Sequence, residues 1–169
     1  MTKRVVWGVV FILIAGLLQS TVFSRLSLLI YAAPDIALCI LVFSAYVNGT
    51  MTGQLTGFFS GFLLDFLSAA PLGLNAFVRT LIGALTGFIK GTFYLDVFFL
   101  PMILCAGATI LKALLFYLLH LLFKGTVPTY MLTGYIFWVE LGINTFIAPL
   151  LFAFLKMFQS LLIGPQENA

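Results

Sequence analysis

The sequence predicts an all-α membrane protein, a single bundle of about six transmembrane helices. Three observations carry that reading. Of its 169 residues, 63% are hydrophobic and 8% are Asp, Glu, Lys or Arg, which leaves too little polar surface to cover a water-soluble globule of this size. The apolar residues fall into long runs, and a hydrocarbon core about 30 Å thick needs roughly 20 of them per helical span. The connections between runs are short, so residues 1–169 read as one integral membrane domain with no soluble domain beside it.

The first run follows Lys3 and Arg4 and covers 5–23. Its basic start resembles a signal peptide, but it continues to Val22 and Phe23 without a small-residue cleavage site and reads as a retained helix. Pro34 divides the next segment. A helix over 35–47 rises about 20 Å at about 1.5 Å per residue, short of a full span, with 26–33 interfacial or extended. Asn48 and Gly49 supply a tight turn before a helix over 51–66. Pro71 and Gly73 mark the turn into a helix over 74–89, and Lys90, Gly91 and Asp96 the turn into one over 97–123. Lys124, Gly125 and Pro128 lead into the last helix, 130–158, where Pro149 cannot donate a backbone hydrogen bond and predicts a kink.

Six spans bring both termini to one side. Cytoplasmic termini place Lys3, Arg4, Lys90 and Lys156 inside, against Arg25 and Lys124 outside, which agrees with the positive-inside rule. Asp35 and the turn 65–74 then lie at the outer face.

The net charge of +3 comes from eight scattered Lys and Arg residues, with no continuous basic stripe, so nucleic acid is not an expected partner. Cys39 and Cys105 sit in apolar runs without metal-site spacing and read as small buried hydrophobes. His120 has no second histidine or carboxylate at helical spacing and reads as an interfacial anchor. No nucleophile elbow, phosphate loop or spaced carboxylate pair is present, so neither catalytic residues nor a cofactor or metal site are expected.

What remains is a small set of polar and glycine positions. Gly53, Gly57 and Gly61 recur every four residues and form a groove for close helix approach, either within the bundle or as a docking face for another protein. Gly83 and Gly87 make a similar notch. Asp65 near the outer end of the third helix and Arg79 in the fourth are expected to pair, as a recognition surface or as a structural ion pair. Asp35 is placed to cap the second helix and shares a membrane level with Asp65 and Ser68. Glu140 and Lys112 reach comparable depth, with Asn144 one turn away, and form an intramembrane polar cluster that serves as a brace or as a buried pocket.

The run Gly57, Gly61, Asp65, Ser68, Pro71, Leu72, Gly73 and Ala76, preceded by Pro34 and Asp35, resembles the MreD family of bacterial rod shape-determining proteins. The resemblance spans the hydrophobic chain and is specific between residues 34 and 79. It implies a non-enzymatic scaffold subunit of the cell-elongation (rod) complex in the inner membrane. It also implies MreC as a partner, and indirect links to MreB, RodA and a class B penicillin-binding protein in lateral peptidoglycan synthesis. The family is similar in fold to the S components of vitamin transporters. A small-molecule binding or transport subunit of that type, its pocket lined by Glu140, Lys112, Asn144 and Arg79, is the competing reading.

Overall fold

Six helices make up the computed structural model, which describes residues 2–23, 34–67, 71–91, 98–123 and 134–158. They are α1 (Thr2–Phe23), α2 (Ile36–Asn48), α3 (Thr50–Leu67), α4 (Leu74–Phe88), α5 (Phe99–Leu122) and α6 (Tyr135–Met157), with no strand among the described residues. Segments 24–33 and 124–133, Ser68, and Arg25 and Lys124 with them, lie outside the described residues, as does the stretch 130–133 at the expected start of the last helix.

By length and composition, α1 through Gln19, α5 and α6 are each suited to cross a membrane. The 13 residues of α2 and the 15 of α4 rise only about 20 and 22 Å. The 18 residues of α3 are interrupted by Gly, Thr, Ser and Asp. The short helices persist because neighbours enclose them. Every residue of α2 from Ala37 to Tyr46 is buried, and the helix touches all five others. A helix apolar on all sides belongs at the centre of a bundle.

Successive helices run antiparallel. Gly8 of α1 faces Ser44 of α2 and Thr56 of α3, and Gly16 packs beside Leu64 further along the same two helices. Gly49 makes the α2–α3 turn with φ +93, a backbone state closed to most L side chains, and the Lys90 side chain lies beside it. The start of α1, the α2–α3 turn and the end of α4 therefore share one end of the bundle. The α3–α4 turn and the start of α2 share the other.

The glycine groove of α3 is filled from within. Gly53 packs against the carbonyl of Gly83, Gly57 against that of Arg79, and Gly61 against the backbone of Asn75 and Ala76, while Gly87 meets Thr50. The register is constant and antiparallel, and it removes the reading of Gly57 and Gly61 as an exposed docking face. What α3 presents outward is a ladder of phenylalanines. Phe58 and Phe62 stack at 6.0 Å and 8°, and Phe62 meets Phe66 edge-on at 4.9 Å.

Helices α5 and α6 form a second hairpin that packs on itself and touches the first four helices more sparingly, through α2 and α4. Its contact with them is apolar toward the end that holds Asn48. There Leu100, Leu104, Ala108, Ala148, Phe152 and Leu155 join the core. Phe152 meets Phe43 edge-on at 5.1 Å, and Phe158 lies 5.4 Å from Phe11.

Candidate functional site

Asp35 stands at the entrance of α2, where the first backbone N–H groups have no helical partner. Its Oδ1 accepts from the Leu38 amide at 2.9 Å and so caps the helix. The same carboxylate is the hub of a buried charge layer. Arg79 Nη2 of α4 donates to Oδ1 at 3.0 Å and to Oδ2 at 3.3 Å, and Lys112 Nζ of α5 donates to Oδ2 at 2.8 Å. Lys112 Nζ also donates to Glu140 Oε1 of α6 at 2.7 Å.

Neutral groups tie the same helices together. The Asp35 amide donates to Asn144 Oδ1 at 2.8 Å, and Asn144 Nδ2 donates to Thr109 Oγ1 at 3.1 Å. Helical spacing explains the arrangement: Glu140 and Asn144 share one face of α6, and Thr109 and Lys112 share one face of α5. Along α5 from Phe99, Lys112 lies about 20 Å deep, as Asn144 does along α6 from Met157. The layer thus sits inside a hydrocarbon core of about 30 Å rather than at its surface.

The sequence-expected pairing of Asp65 with Arg79 is not formed. Asp65 is buried, and its oxygens accept from the α4 entrance instead: Oδ2 from the amides of Gly73 at 2.9 Å and Ala76 at 3.2 Å, Oδ1 from the amide and side chain of Asn75 at 2.9 and 3.0 Å. The physical reason is local. Gly73, with φ +94, occupies the N-cap position and has no side chain to accept from the first turn. A carboxylate from the preceding helix takes that role and also complements the positive end of the helix dipole. Arg79, whose side chain is buried, turns to Asp35 across the bundle.

Asp35, Arg79, Lys112, Glu140 and Asn144 therefore converge, whereas Asp65, Pro71 and Gly73 form a separate hairpin motif and Gly57 and Gly61 a packing seam. Asp35 and Asp65 serve different helices and do not make one outer polar cluster. Ser68 lies outside the described residues. Thr109 and Asn75 were not singled out by the sequence. Thr109 stands three residues before Lys112 on one face, and Asn75 stands in the first turn of a helix whose cap position is glycine.

Among the described residues, two carboxylates and two cations make up the charged part of the layer. In a low-dielectric interior each charge is tolerated through its partners, and removing one strands another. Arg79 Nη1 is buried without a hydrogen-bond partner among the described residues. Among those residues no group of three His, Cys, Asp or Glu side chains is placed to hold a metal ion. Chemically, the arrangement braces α2, α4, α5 and α6 against one another at one depth.

A multi-helix membrane protein braced by buried, mutually paired charges is the class that this fold and layer define. The chain belongs to the MreD family: the family model described as rod shape-determining protein MreD matches residues 1–158. It is accordingly a rod shape-determining membrane protein. No curated protein and no solved structure matches the chain.

Proposed function

We propose that the chain is a non-enzymatic scaffold subunit of the bacterial cell-elongation complex that binds MreC and supports lateral peptidoglycan synthesis. MreB, RodA and a class B penicillin-binding protein are reached through that complex. The subunit resides in the inner membrane with both termini cytoplasmic, which places Lys3, Arg4, Lys90 and Lys156 inside. The observation that carries the reading is the mutual engagement of Asp35, Arg79, Lys112 and Glu140 across four helices. Charges bonded to one another stiffen a body instead of awaiting a substrate.

With the glycine seam occupied by α4, partner binding falls to the outward apolar faces. The phenylalanine ladder of α3 is the candidate for contact with a partner's transmembrane helix, where dispersion replaces the absent hydrophobic drive. Affinity purification from native membranes tests this, with mass spectrometry of co-purifying proteins and small molecules. Recovery of MreC and wall synthases, reduced by Phe58→Ala with Phe62→Ala while the protein stays folded, is the expected result. Their absence from the purified material counts against the scaffold reading.

The second reading is a small-molecule binding subunit, favoured by one observation, the buried and unbonded Nη1 of Arg79. Under it, a stoichiometric small ligand co-purifies and is lost in Glu140→Gln.

A further inference from the structure

The lysines and arginines of the described residues divide into two sets. Arg79 and Lys112 are paired inside the charge layer, whereas Lys3, Arg4, Lys90 and Lys156 make no ion pair among the described residues. These four stand toward the Asn48 end of the bundle, where α1 starts and α4 and α6 finish. Lys3 and Arg4 occupy the first turn of α1, the end of a helix that carries partial positive charge, and that turn holds no acidic residue. Cations placed against the helix dipole do not serve the helix.

The place that Lys3 and Arg4 border is a seam. Around the central α2, α1 packs on α3, α3 on α4, α4 on α5 and α5 on α6, but α1 and α6 do not pack on each other along their length. A row of aromatic rings joins them instead. Trp7 lies 6.4 Å from Phe11, Phe11 lies 5.4 Å from Phe158, and Phe158 lies 5.3 Å from Phe154. Trp7 and Phe154 remain 39% and 51% exposed.

Helical spacing puts Arg4, Trp7 and Phe11 on one flank of α1, with Lys3 one turn before Trp7. Phe158 follows the last residue of α6, so α6 stops beside Phe11. Arg4 stands about 10 Å nearer that end of the bundle, at about 1.5 Å per residue. The other two cations lie elsewhere. The Lys90 side chain lies beside Gly49 in the α2–α3 turn, and Lys156 is two residues from both Phe154 and Phe158, on a different side of α6.

A cationic rim beyond an exposed aromatic wall matches a lipid whose phosphate and acyl chains are separated along the same axis. Tryptophan favours the headgroup boundary, and lysine and arginine near it attract anionic lipid. We propose that the α1–α6 seam holds one anionic phospholipid, with its phosphate on Lys3 and Arg4 and an acyl chain along Trp7, Phe11 and Phe154. The inference stands apart from the scaffold reading, since the occupant is a lipid and its test involves no protein partner.

Contact quenching of Trp7 by brominated acyl chains tests it, on the full chain in phosphatidylcholine bilayers. Trp7 and Trp138 are the two tryptophans, so Trp138→Phe leaves Trp7 as the reporter. Acyl-brominated phosphatidylglycerol is compared with acyl-brominated phosphatidylcholine at the same low mole fraction. In the Trp138→Phe protein the anionic lipid is expected to be enriched at Trp7 about fivefold for each cation engaged. Lys3→Gln with Arg4→Gln is expected to remove the difference. Lys90→Gln with Lys156→Gln takes the same charge from the same end and is expected to leave it. Because N-terminal cations also direct insertion, a third variant, Thr2→Lys with Arg4→Thr, keeps the charge and moves it to another side of α1. It is expected to lower the preference severalfold, and it decides where the Lys3 and Arg4 double variant does not insert.

Equal quenching by the two lipids in the Trp138→Phe protein overturns the proposal and leaves the seam to residues 159–169 or to another protein. It is also overturned if the Lys90 and Lys156 substitutions abolish the preference as fully as those at Lys3 and Arg4, since the attraction then belongs to that whole end of the bundle. A preference that persists unchanged in the inserted Lys3 and Arg4 variants overturns it as well.

Discussion

Gly57 of α3 lies against the carbonyl of Arg79 in α4, and the guanidinium of the same Arg79 bonds Asp35 of α2. The close approach at one residue's backbone thus sets the place from which its side chain reaches a third helix. A side chain at position 57 displaces α4 as a unit, because the obstacle is backbone and cannot rotate away.

Gly57→Ala is therefore expected to cost about 1–3 kcal/mol by overpacking. Gly57→Leu is expected to yield no folded protein. Thermal unfolding in detergent checks both; a Gly57→Leu protein that unfolds at the parental temperature contradicts the seam.

Arg79→Ala leaves Asp35 short of a cation in the membrane interior and is expected to destabilise by about 3–5 kcal/mol. The double variant with Asp35→Ala should be markedly less destabilised than the sum of the single ones. The double variant with Asp65→Ala should be close to additive, since the two residues share no bond. Additivity in the first cycle, or strong coupling in the second, contradicts the observed partners.

Asp65→Ala removes the acceptor for the amides of Gly73, Asn75 and Ala76. The expected loss is about 1–3 kcal/mol, expressed locally. Amide hydrogen exchange should rise at those three positions while α2 and α5 keep their protection. Uniform exchange throughout the bundle speaks against a local cap.

Phe58→Leu and Phe62→Leu change side chains that face outward from α3, and each is expected to alter stability by no more than about 0.5 kcal/mol. A large loss in either identifies an internal packing role. Should stability hold and MreC recovery fall, the ladder is the partner's seat.

Much of the charge layer was legible because a buried charge announces its need for a partner. Glu140, Lys112 and Asn144 share a depth that residue counting reveals, whereas Asp35 was legible as a helix cap but not as the hub of the layer, since its expected level was that of Asp65. The helical membrane architecture followed from composition and run length for the same reason: both are properties of the chain itself. The partner of Arg79 was not legible from depth. Both α2 and α3 border α4, and the side on which each lies is a lateral property that spacing along one helix does not encode. The deciding clue was glycine at position 73, which leaves the start of α4 without a cap of its own and draws Asp65 to it. Thr109 carries no signal in the sequence because a threonine in an apolar helix can bond to its own backbone and needs no partner elsewhere. The destination of the glycine groove was undecided for a related reason, since a notch has the same sequence whether its occupant is α4 or another protein.

The bonds to Asp35 also set an order of assembly. Its cations lie 44 and 77 residues further along the chain. During synthesis α2 enters the membrane with a carboxylate that has no countercharge until α4 emerges, and Lys112 and Glu140 meet it only when the last hairpin follows. A nascent protein cut short before α5 holds Asp35 and Arg79 as one balanced pair, to which α5 and α6 later add Lys112 and Glu140. The charge layer is thus built in two neutral steps, and the second needs α5 and α6 together.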